Sequence, residues 1–384
     1  MRICLVCPYS FAFPGGVQEH VKALYKQLKI LGHQVKVITP SARWGEKPKN
    51  HDFVYVGRSR RVKFSGTRAP VTFGLNYSLK LRKFFKKENF DIVHLHDAWL
   101  PTLSWFVMYH AKCPMVVTCH ATNEKVPKKQ SLILEPLFKP IFLPLLGRFQ
   151  GRIAVSRVAK TYAQRFLKKD FQIIPNGVDT KRFNPKVAPI AKFKDGKINL
   201  LYVGRLEERK GLLYLLEAYK KLSKKDKNNR LIVVGDGPLK GEAKKFVKTN
   251  KLENVFFAGR VSAKSLPSYY ATADIFCSPA THGESFGIVL LEAMASGLPV
   301  AASKIPGYQE VLTNKEGFLV PPKNPQRLTR ALKLLISKKS LRQKLGRGGL
   351  TKAKKYDWEV VAKRILSFYQ KTLRYNEIRK EVSE

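Results

Sequence analysis

Two carboxylates, Glu284 and Glu292, lie eight residues apart in the stretch HGESFGIVLLEAMASG (282–297). The apolar residues around Glu292 cover nearly the whole circumference of a helix, which predicts a buried helix ended by Gly297. A buried carboxylate is costly unless it is paired or hydrogen-bonded. With Ser285 as a candidate cap, the helix start and its loop carboxylate suit a ligand with phosphates and hydroxyls. The same stretch is equally compatible with an internal salt bridge from Glu292 to a lysine.

Two further stretches are candidates for binding a diphosphate. Gly15 and Gly16, in PYSFAFPGGVQEH, follow an apolar strand-like run, and glycines let backbone amides approach phosphates. Their spacing falls short of G-x-G-x-x-G, so a nicotinamide-type site is not indicated, and a tight turn is the alternative. Arg205 and Lys210, in YVGRLEERKGL, follow another such run and could neutralise a departing diphosphate. Among 72 basic residues, two cations in a loop are not diagnostic by themselves.

These residues need elements that position them, and the chain supplies an alternation of strands and helices. RICLVCPY leads into VQEHVKALYKQLKILG and HQVKVITP, and a second series begins at INLLYVGR. Short continuous apolar strands alternating with helices are typical of parallel βαβ units. The 384 residues also exceed what one hydrophobic core usually organises. We therefore expect two doubly wound α/β domains joined near 173–186, with the ligand in the cleft between the carboxyl ends of their sheets.

The cysteine and histidine patterns do not predict a metal site. Cys4 and Cys7 have C-x-x-C spacing but point to opposite sides of a strand. No second cysteine pair or histidine cluster completes a zinc site, so buried thiols in a reducing cytosol are expected. HLHD (94–97) could supply metal ligands, but alternating strand positions at the rim of a domain are the more common explanation of this pattern. The five cysteines are Cys4, Cys7, Cys113, Cys119 and Cys277.

The combination of motifs, in their order along the chain, is more specific than any one of them. GGVQEH, then RxxxxKG, then HGESFGIVLLEA span the two predicted domains. This combination resembles the retaining glycosyltransferases of family 4, which have a GT-B fold and a Glu-x7-Glu motif. Further short motifs of the family occur at the matching places along this chain, so the resemblance covers residues 1 to about 372. These motifs are TCHAT, GRIAVS, IPNGVD, VVGDGP and YDWEVVA. Through VCPYSF, PGGVQ and YDW it extends to the family's mannosyltransferases that act on phosphatidylinositol.

The resemblance implies a domain organisation. In the GT-B fold two Rossmann-like domains face a central cleft. Residues 1–172 would form the acceptor- and membrane-facing domain, and residues 173–355 would bind the nucleotide-sugar. Residues 356–384 would form a C-terminal helix that packs back on the first domain.

The resemblance also implies catalytic roles. Arg205 and Lys210 would clamp the donor diphosphate, Glu284 would bind hydroxyls of the transferred sugar, and His120 would face the sugar near its anomeric carbon. The diphosphate leaves, and the acceptor hydroxyl attacks from the same face, losing its proton to a leaving phosphate oxygen. Neither a metal site nor a tightly bound cofactor is implied.

The implied donor site includes Glu292, which would hold the ribose hydroxyls. The nucleobase is less determined, because 259–264 lies where the family contacts the base but carries no guanine-specific carboxylate. The resemblance implies GDP-mannose as the donor, and the missing carboxylate leaves UDP-sugars open as the alternative. The donor-binding residues implied are Gly15, Gly16, Arg205, Lys210, Val261, Glu284, Ser285, Phe286, Gly287, Ile288 and Glu292.

The net charge of +44 implies attraction to polyanions. The basic stretch 58–68, predicted as a loop, and a helix predicted over 76–90 are candidates for contact with anionic lipid through Arg58–Arg68 and Lys80–Lys87. The apolar, proline-broken segment 131–147 could lie in the membrane interface beside them. An ordinary solvated surface in a lysine-rich protein is the alternative. In the 76–90 helix the expected apolar face is Tyr77, Leu81, Phe84 and Phe85, and the opposite arc is Lys80, Arg82, Lys83, Lys86 and Lys87.

The charge by itself would also suit a nucleic-acid-binding protein. Such a protein needs aromatics interleaved with basic residues or a known reading module, and neither is found. We therefore expect a peripheral enzyme at the inner face of the cell membrane and no nucleic-acid partner. Its expected reaction moves a hexose, mannose from GDP-mannose, to a lipid headgroup such as phosphatidylinositol. The alternative is a UDP-sugar donor with a soluble sugar or sugar-phosphate acceptor.

Overall fold

The structure is a computed structural model that divides into two compact units, residues 1–176 with 358–384, and residues 177–357. The residues it describes are 1–12, 15–41, 50–64, 67–73, 77–98, 103–122, 144–223 and 227–382, with only the backbone described for 59–64, 67–73 and residue 380. Of the segment 131–147, only 144–147 falls in these ranges, so its expected place at a membrane interface lies outside the described residues.

The secondary structure follows the alternation seen in the sequence. The strands are β1 (Arg2–Val6), β2 (Gln34–Ser41), β3 (Phe53–Phe64), β4 (Thr67–Phe73), β5 (Ile92–His96), β6 (Met115–Cys119), β7 (Phe149–Ala154), β8 (Gln172–Ile173), β9 (Ile198–Val203), β10 (Asn229–Val234), β11 (Val255–Gly259), β12 (Ile275–Ser278), β13 (Val300–Ser303) and β14 (Gly317–Val320). The helices used below are α1 (Gly16–Ile30), α2 (Tyr77–Lys87), α3 (Leu103–His110), α4 (Arg157–Ala163), α5 (Leu212–Ser223), α6 (Lys240–Thr249), α7 (Leu266–Thr272), α8 (Ile288–Ala295), α9 (Pro306–Gln309), α10 (Pro325–Ser337), α11 (Lys339–Lys354) and α12 (Trp358–Glu381).

The first unit is built on an eight-stranded sheet of order β4-β3-β2-β1-β5-β6-β7-β8. Its neighbours pair in parallel except β3 and β4, which are antiparallel. Helix α1 packs Val21, Leu24 and Leu28 into the core, and α12 contributes Trp358 and Tyr369. Each buried side chain of this size stabilises the fold by roughly 1.5–3 kcal/mol.

The second unit is built on a six-stranded parallel sheet of order β11-β10-β9-β12-β13-β14. In chain order this is 3-2-1-4-5-6, the arrangement of a doubly wound sheet whose direction of winding reverses between its first and fourth strands. That switch point lies between β9 and β12, and in the first sheet the winding reverses between β1 and β5. Ligands of such sheets bind outside the carboxyl ends of the strands at the switch point. The prediction of two doubly wound α/β domains is confirmed.

One local prediction was wrong. The basic stretch 58–68 is not a loop, because residues up to Phe64 continue β3 and Thr67 begins β4. The two strands form an antiparallel ladder in which Lys63 pairs with Arg68. The stretch alternates cations with Val62 and Phe64, and β-branched and aromatic residues at period two favour a strand.

Two further features of the described residues concern their helices and their cysteines. None of their helices combines the length and the apolar composition needed to cross a bilayer. All five cysteines are free thiols, and only Cys113 is not buried. Burial raises the pKa of the Cys7 thiol to about 12, so this thiol stays protonated and unreactive.

Candidate active site

The charged residues singled out in the second unit lie on the loops that follow β9 and β12. Because these strands are neighbours at the switch point, the loops after them meet. The backbone N–H of Thr281 donates to the carbonyl of Arg209 at 2.7 Å, which ties the loops together. Gly211 makes this approach sterically allowed: its φ is +73°, and a Cβ there would lie 2.0 Å from the Pro279 carbonyl oxygen.

Glu284 is the centre of this cluster. Its Oε1 lies 2.6 Å from Nζ of Lys210 and 2.7 Å from Nη1 of Arg209, and its side chain is 12% exposed. Burial alone would raise the pKa of the Glu284 carboxyl, but Lys210 and Arg209 outweigh burial and hold the pKa below its ordinary value. Glu284 is therefore ionised at neutral pH. Its other oxygen, Oε2, has no partner among the described residues.

Arg205 is held less tightly. Its Nη2 lies 2.8 Å from Oε1 of Glu207, and its side chain is 52% exposed. Nε of Arg209 lies 3.4 Å from Oε2 of the same Glu207. The cluster thus contains three cations against two carboxylates, an excess of one positive charge that suits an anionic ligand.

The loop carrying Glu284 is kept in place by its backbone. A Cβ at Gly307, in α9, would lie 1.8 Å from the Glu284 carbonyl oxygen, so only glycine fits there. The carbonyl of Gly283 accepts a hydrogen bond from Nη1 of Arg209 at 3.1 Å. The hydroxyl of Tyr308 lies 2.7 Å from Oγ of Ser278, at the end of β12. Glu284 therefore sits on a loop fixed by close backbone packing.

The predicted cap of the next helix was wrong. Helix α8 has Gly287, not Ser285, at its N-cap, and no side chain caps it. Gly287 has a φ of +99°, and a Cβ there would lie 2.8 Å from Cδ1 of Tyr308. The left-handed turn packed against Tyr308 moves the helix start two residues beyond Ser285. The end of α8 agrees with the prediction: Gly297, at a φ of +78°, and Leu298 donate to the carbonyls of Met294 and Ala293.

Glu292 is less buried than the sequence indicated. In α8, Leu290, Leu291, Ala293, Met294 and Ala295 are buried, whereas Ile288, Val289 and Glu292 are only partly covered. These three positions fall at i, i+1 and i+4, so they form one half-exposed strip. The hydroxyl of Tyr270 donates a hydrogen bond to Oε2 of Glu292 at 2.7 Å. A tyrosine hydroxyl is thus a protein partner of this carboxylate that the sequence did not indicate.

The remaining implied donor contacts of this unit occupy two places. Phe286 is buried and Ser285 is partly covered on the Glu284 loop. Val261 is partly covered and follows β11, the outermost strand of the sheet. All of these residues lie beyond the carboxyl ends of parallel strands.

In the first unit, His120 directly follows β6 and is packed against two other histidines. Its Nε2 lies 3.0 Å from Nδ1 of His96, the last residue of β5. The ring of His20, from α1, lies edge-on with its centroid 4.6 Å from that of His120. Nδ1 of His20 in turn donates to Oδ1 of Asn176 at 2.8 Å. All three imidazoles are buried.

Burial sets the protonation of this histidine cluster. Desolvation lowers the pKa of His20 to about 4, and it lowers the pKa values of His96 and His120 well below their ordinary range. The three imidazoles are therefore neutral at physiological pH. Asp97, which follows β5, accepts the backbone N–H of His120 at 2.8 Å. Burial raises the pKa of Asp97 to about 6, although backbone N–H groups of His120 and Ala121 oppose the shift.

The paired glycines lie at the start of α1. Gly15 is the N-cap and Gly16 is the first helical residue. Gly15 supplies no side-chain acceptor to the first turn, and its conformation is extended. A Cβ at Gly15 would lie 2.6 Å from Oε1 of Gln18. The helix start follows β1, at the switch point of the first sheet.

Comparisons with known proteins agree with this geometry. A family model described as Glycosyltransferase Family 4 matches residues 14–182, and one described as Glycosyl transferases group 1 matches residues 184–352. The phosphatidyl-myo-inositol mannosyltransferase of Mycobacterium tuberculosis (strain H37Rv) is 35% identical over 96% of this chain and 97% of its own. That of Mycobacterium leprae is 34% identical, with 96% of each chain covered. The chain belongs to the group 1, family 4 glycosyltransferases.

Solved structures share the fold of this glycosyltransferase. Sucrose-phosphate synthase of Thermosynechococcus elongatus has a TM-score of 0.76 at 22% identity, with 97% of this chain and 99% of that chain covered. An Anabaena protein in complex with UDP-glucose has a TM-score of 0.75 at 19% identity, with 97% and 100% covered. The predicted GT-B fold and the family resemblance are confirmed.

Several residues that contact the predicted site residues were not found from the sequence. Arg209 lies between Arg205 and Lys210 in RLEERKG. Its place as a third cation in this motif was the one feature of the sequence that pointed to it. Tyr270 precedes Glu292 by 22 residues and Asn176 follows His20 by 156, so spacing along the chain gave no indication of either contact. His20 was part of the GGVQEH motif, but its contact with His120 required the sheet order.

Proposed function

We propose that this glycosyltransferase moves a hexose, mannose from GDP-mannose, to a lipid headgroup such as phosphatidylinositol, with retained configuration. The observation that carries the proposal is the cluster of Arg205, Arg209, Lys210 and Glu284 at the switch point of the second sheet. Support also comes from the lipid mannosyltransferases, whose names state this acceptor and which match this chain nearly end to end.

The second unit supplies the donor contacts in this proposal. Arg205 and Lys210 bind the diphosphate and neutralise the charge that grows as it leaves. Lys210 is already within 2.6 Å of Glu284, whereas the exposed side chain of Arg205 is free to turn toward the phosphate. Glu292, on the half-exposed strip of α8, binds the ribose hydroxyls while Tyr270 orients its carboxylate.

The sugar itself is held by Glu284 in this proposal. Both cations contact Oε1 of Glu284, so Oε2 is available to accept hydrogen bonds from sugar hydroxyls. A hydrogen bond to an ionised carboxylate is about twice as strong as one between neutral groups. For the first unit, we propose that His120 contacts a sugar and that the amides at Gly15–Gly16 contact a phosphate.

The reaction needs no acid or base beyond the substrates. The bond between the anomeric carbon and the diphosphate oxygen breaks, and that oxygen takes the electron pair. The acceptor oxygen forms the new bond from the same face and passes its proton to a leaving phosphate oxygen. The contribution of the protein is electrostatic: Lys210 and Arg205 stabilise the developing negative charge.

Thermal stabilisation across nucleotide-sugars tests the donor. A ligand that binds only the native protein adds about 2.7 kcal/mol of stability at a hundredfold excess over its dissociation constant. We expect GDP-mannose to raise the melting temperature of the wild type and to fail on the double variant Arg205→Ala, Lys210→Ala. Stabilisation by UDP-glucose but not by GDP-mannose would overturn the assigned donor and favour the UDP-sugar alternative.

The proposed lipid surface lies on α2 and α3 of the first unit. Tyr77 and Leu81 are buried, whereas Leu79 is 56% exposed and Tyr109, on α3, is 71% exposed. Exposed apolar side chains beside exposed cations are typical of a surface that binds a membrane interface. The cations of α2, all exposed, are Lys80, Arg82, Lys83, Lys86 and Lys87.

A groove between these helices adds to this support. It has a volume of about 1100 Å³ and is lined by the cationic side chains of Arg82, Lys86 and Lys112 and by apolar rings that include Tyr109. A lining that combines three cations with apolar side chains suits the headgroup and upper acyl chain of an anionic lipid. The enzyme would thus act at the inner face of the cell membrane without spanning it.

Charge reversal tests the acceptor. Changing Arg82, Lys83, Lys86 and Lys87 to Glu should abolish sedimentation with anionic vesicles and transfer to lipid in a bilayer, while donor stabilisation persists. Raising salt should mimic the defect in part, because the screening length falls to about 3 Å at 1 M. The matched control makes the same charge change in the second unit at exposed Lys244, Lys245, Lys248 and Lys251. Equal transfer to bilayer lipid by both variants would favour a soluble acceptor.

A further inference from the structure

The histidine cluster of the first unit has a property that its packing does not explain. One ring nitrogen from each of His20, His96 and His120 lies within 4.8 Å of the other two. The three side chains are 1%, 0% and 8% exposed. Nε2 of His20 and Nε2 of His96 are buried and have no hydrogen-bond partner among the described residues. A buried polar atom without a partner is costly, so the unpartnered Nε2 of His20, the ring nitrogen that does not face Asn176, indicates a ligand.

The protonation of His20 follows from its partner. Nδ1 of His20 faces the amide oxygen of Asn176 at 2.8 Å. An amide oxygen only accepts, so Nδ1 carries the proton and Nε2 presents an unprotonated lone pair. Metal-ligating histidines almost always donate their other ring N–H to an oxygen acceptor, which fixes the ring for coordination. Asn176 performs this function for His20.

We propose that His20, His96 and His120 form a metal site that takes Zn²⁺ through one ring nitrogen from each residue. Three imidazoles with an open fourth position are an established coordination set for this ion. Nitrogens about 2.0–2.1 Å from a tetrahedral zinc lie roughly 3.3 Å apart. Nδ1 of His96 and Nε2 of His120 already lie 3.0 Å apart, and the widest pair closes by about 1.5 Å of ring movement.

The three histidines lie on or next to regular secondary structure, which holds their backbones in place. His96 ends β5 and His120 follows β6, and these strands pair in parallel, with His96 opposite Thr118. His20 projects from the second turn of α1, and its ring also lies edge-on to Trp358 at 4.8 Å between centroids. A bound ion would engage His120, so under the proposed function Zn²⁺ should inhibit transfer.

Equilibrium dialysis of the full chain against Zn²⁺ tests the site without any donor or acceptor. We expect one tightly held ion in the wild type, at least a hundredfold loss of affinity in His20→Gln or His96→Gln, and unchanged binding in His33→Gln and His282→Gln. Co²⁺ should give the strong visible absorption of a tetrahedral complex in the same pattern. Wild-type protein that retains no ion, or His20→Gln that binds as wild type, would overturn the proposal.

Asn176 offers a test that misfolding cannot imitate. Asn176→Ala should weaken Zn²⁺ binding by about 10–100-fold, whereas Asn176→Asp should tighten it because a carboxylate is the stronger acceptor. Unchanged affinity in both variants would contradict coordination by His20. Donor-induced stabilisation, measured separately, distinguishes failure of the metal site from failure of the proposed transferase function. Inhibition by Zn²⁺ that dialysis confirms as bound would support the contact of His120 with the sugar.

Discussion

In the second unit, the loops beside the switch point carry three cations and two carboxylates, whereas the first unit carries three neutral imidazoles beside its own switch point. Both groups of side chains lie at or beyond the carboxyl ends of parallel strands, and His20 reaches its group from helix α1. The two groups differ in how they avoid the free-energy cost of burying an unpaired charge. Glu284 keeps its charge because Lys210 and Arg209 lie within 2.7 Å, whereas the histidines lose theirs because no carboxylate contacts their rings among the described residues.

The comparison shows that one topological position can serve two kinds of chemistry. A preorganised charged cluster stabilises charge that develops during a reaction, because its dipoles and ions are already oriented. A neutral imidazole cluster offers lone pairs to neutral or cationic ligands. The following predictions test this division, beginning with the largest expected effect.

Removing one cation from the charged cluster should reduce turnover most. Lys210→Ala leaves Glu284 paired with Arg209 but removes a positive charge that the proposed mechanism places beside the departing diphosphate. Losing one such stabilising group typically costs about 10²–10³ in turnover. Steady-state rates of sugar transfer measure the effect, with Lys240→Ala, whose side chain pairs with the exposed Asp236, as the control. Turnover near that of the wild type would remove Lys210 from the mechanism.

Neutralising the central carboxylate should lower stability in the second unit. Glu284→Gln leaves Lys210 and Arg209 close together without their shared anion. Breaking a buried ion pair costs about 3–5 kcal/mol, and the partial exposure of both cations brings the expected loss to about 3 kcal/mol. Scanning calorimetry measures the shift, with the exposed Glu242→Gln as the control. Equal melting temperatures for the two variants would show that the cluster is only weakly coupled to the fold.

The neutral cluster should make the first unit sensitive to acid. The folded pKa of His20 is about 4, below its ordinary 6.5, so the unfolded chain binds more protons between these values. Stability is therefore complete above pH 6.5 and is lost as pH falls toward 4, by about 2 kcal/mol near pH 5 for this residue. The raised pKa of Asp97 acts with the opposite sign, because the folded state then binds the extra proton.

The contribution of His20 to this pH dependence can be measured by comparison with a variant that lacks this histidine. Comparing urea unfolding of the wild type with that of His20→Gln from pH 7 to 4.5 cancels the contribution of Asp97. As the pH falls, the unfolding free energy of the wild type should decrease more than that of His20→Gln. Parallel curves would mean that His20 titrates normally in the folded protein.

The smallest effect is expected at Glu292. Glu292→Gln keeps an acceptor for the Tyr270 hydroxyl and loses the charge-assisted bonds to ribose that we propose. Nucleotide affinity should fall about tenfold, with little change in melting temperature. Tyr270→Phe removes only the orienting hydroxyl and should cost about 1 kcal/mol of stability. Titration calorimetry with the nucleotide measures the affinity, and a sharp fall in melting temperature with unchanged affinity would make Glu292 a structural residue.

Much of the fold was readable from local pattern. Runs such as INLLYVGR and RLIVVGDG are apolar and short, and they became the buried strands β9 and β10. The stop at Gly297 was also readable, because a left-handed residue ends a helix wherever it occurs. The start of α8 was not, because Gly287 rather than Ser285 is fixed by contact with Tyr308, which lies 21 residues further along the chain.

The sequence by itself determined the alternation of strands and helices, the family motifs and the positions of Glu284, Lys210 and His120 after strands. These depend on hydrophobic period and local backbone preference, which act over a few residues. Tertiary structure alone decided that Arg209 shares a carboxylate oxygen with Lys210, that Tyr270 donates to Glu292, and that His20 meets His96 and His120. Those contacts join residues tens of positions apart, because the strand order brings distant loops to the same edge of a sheet.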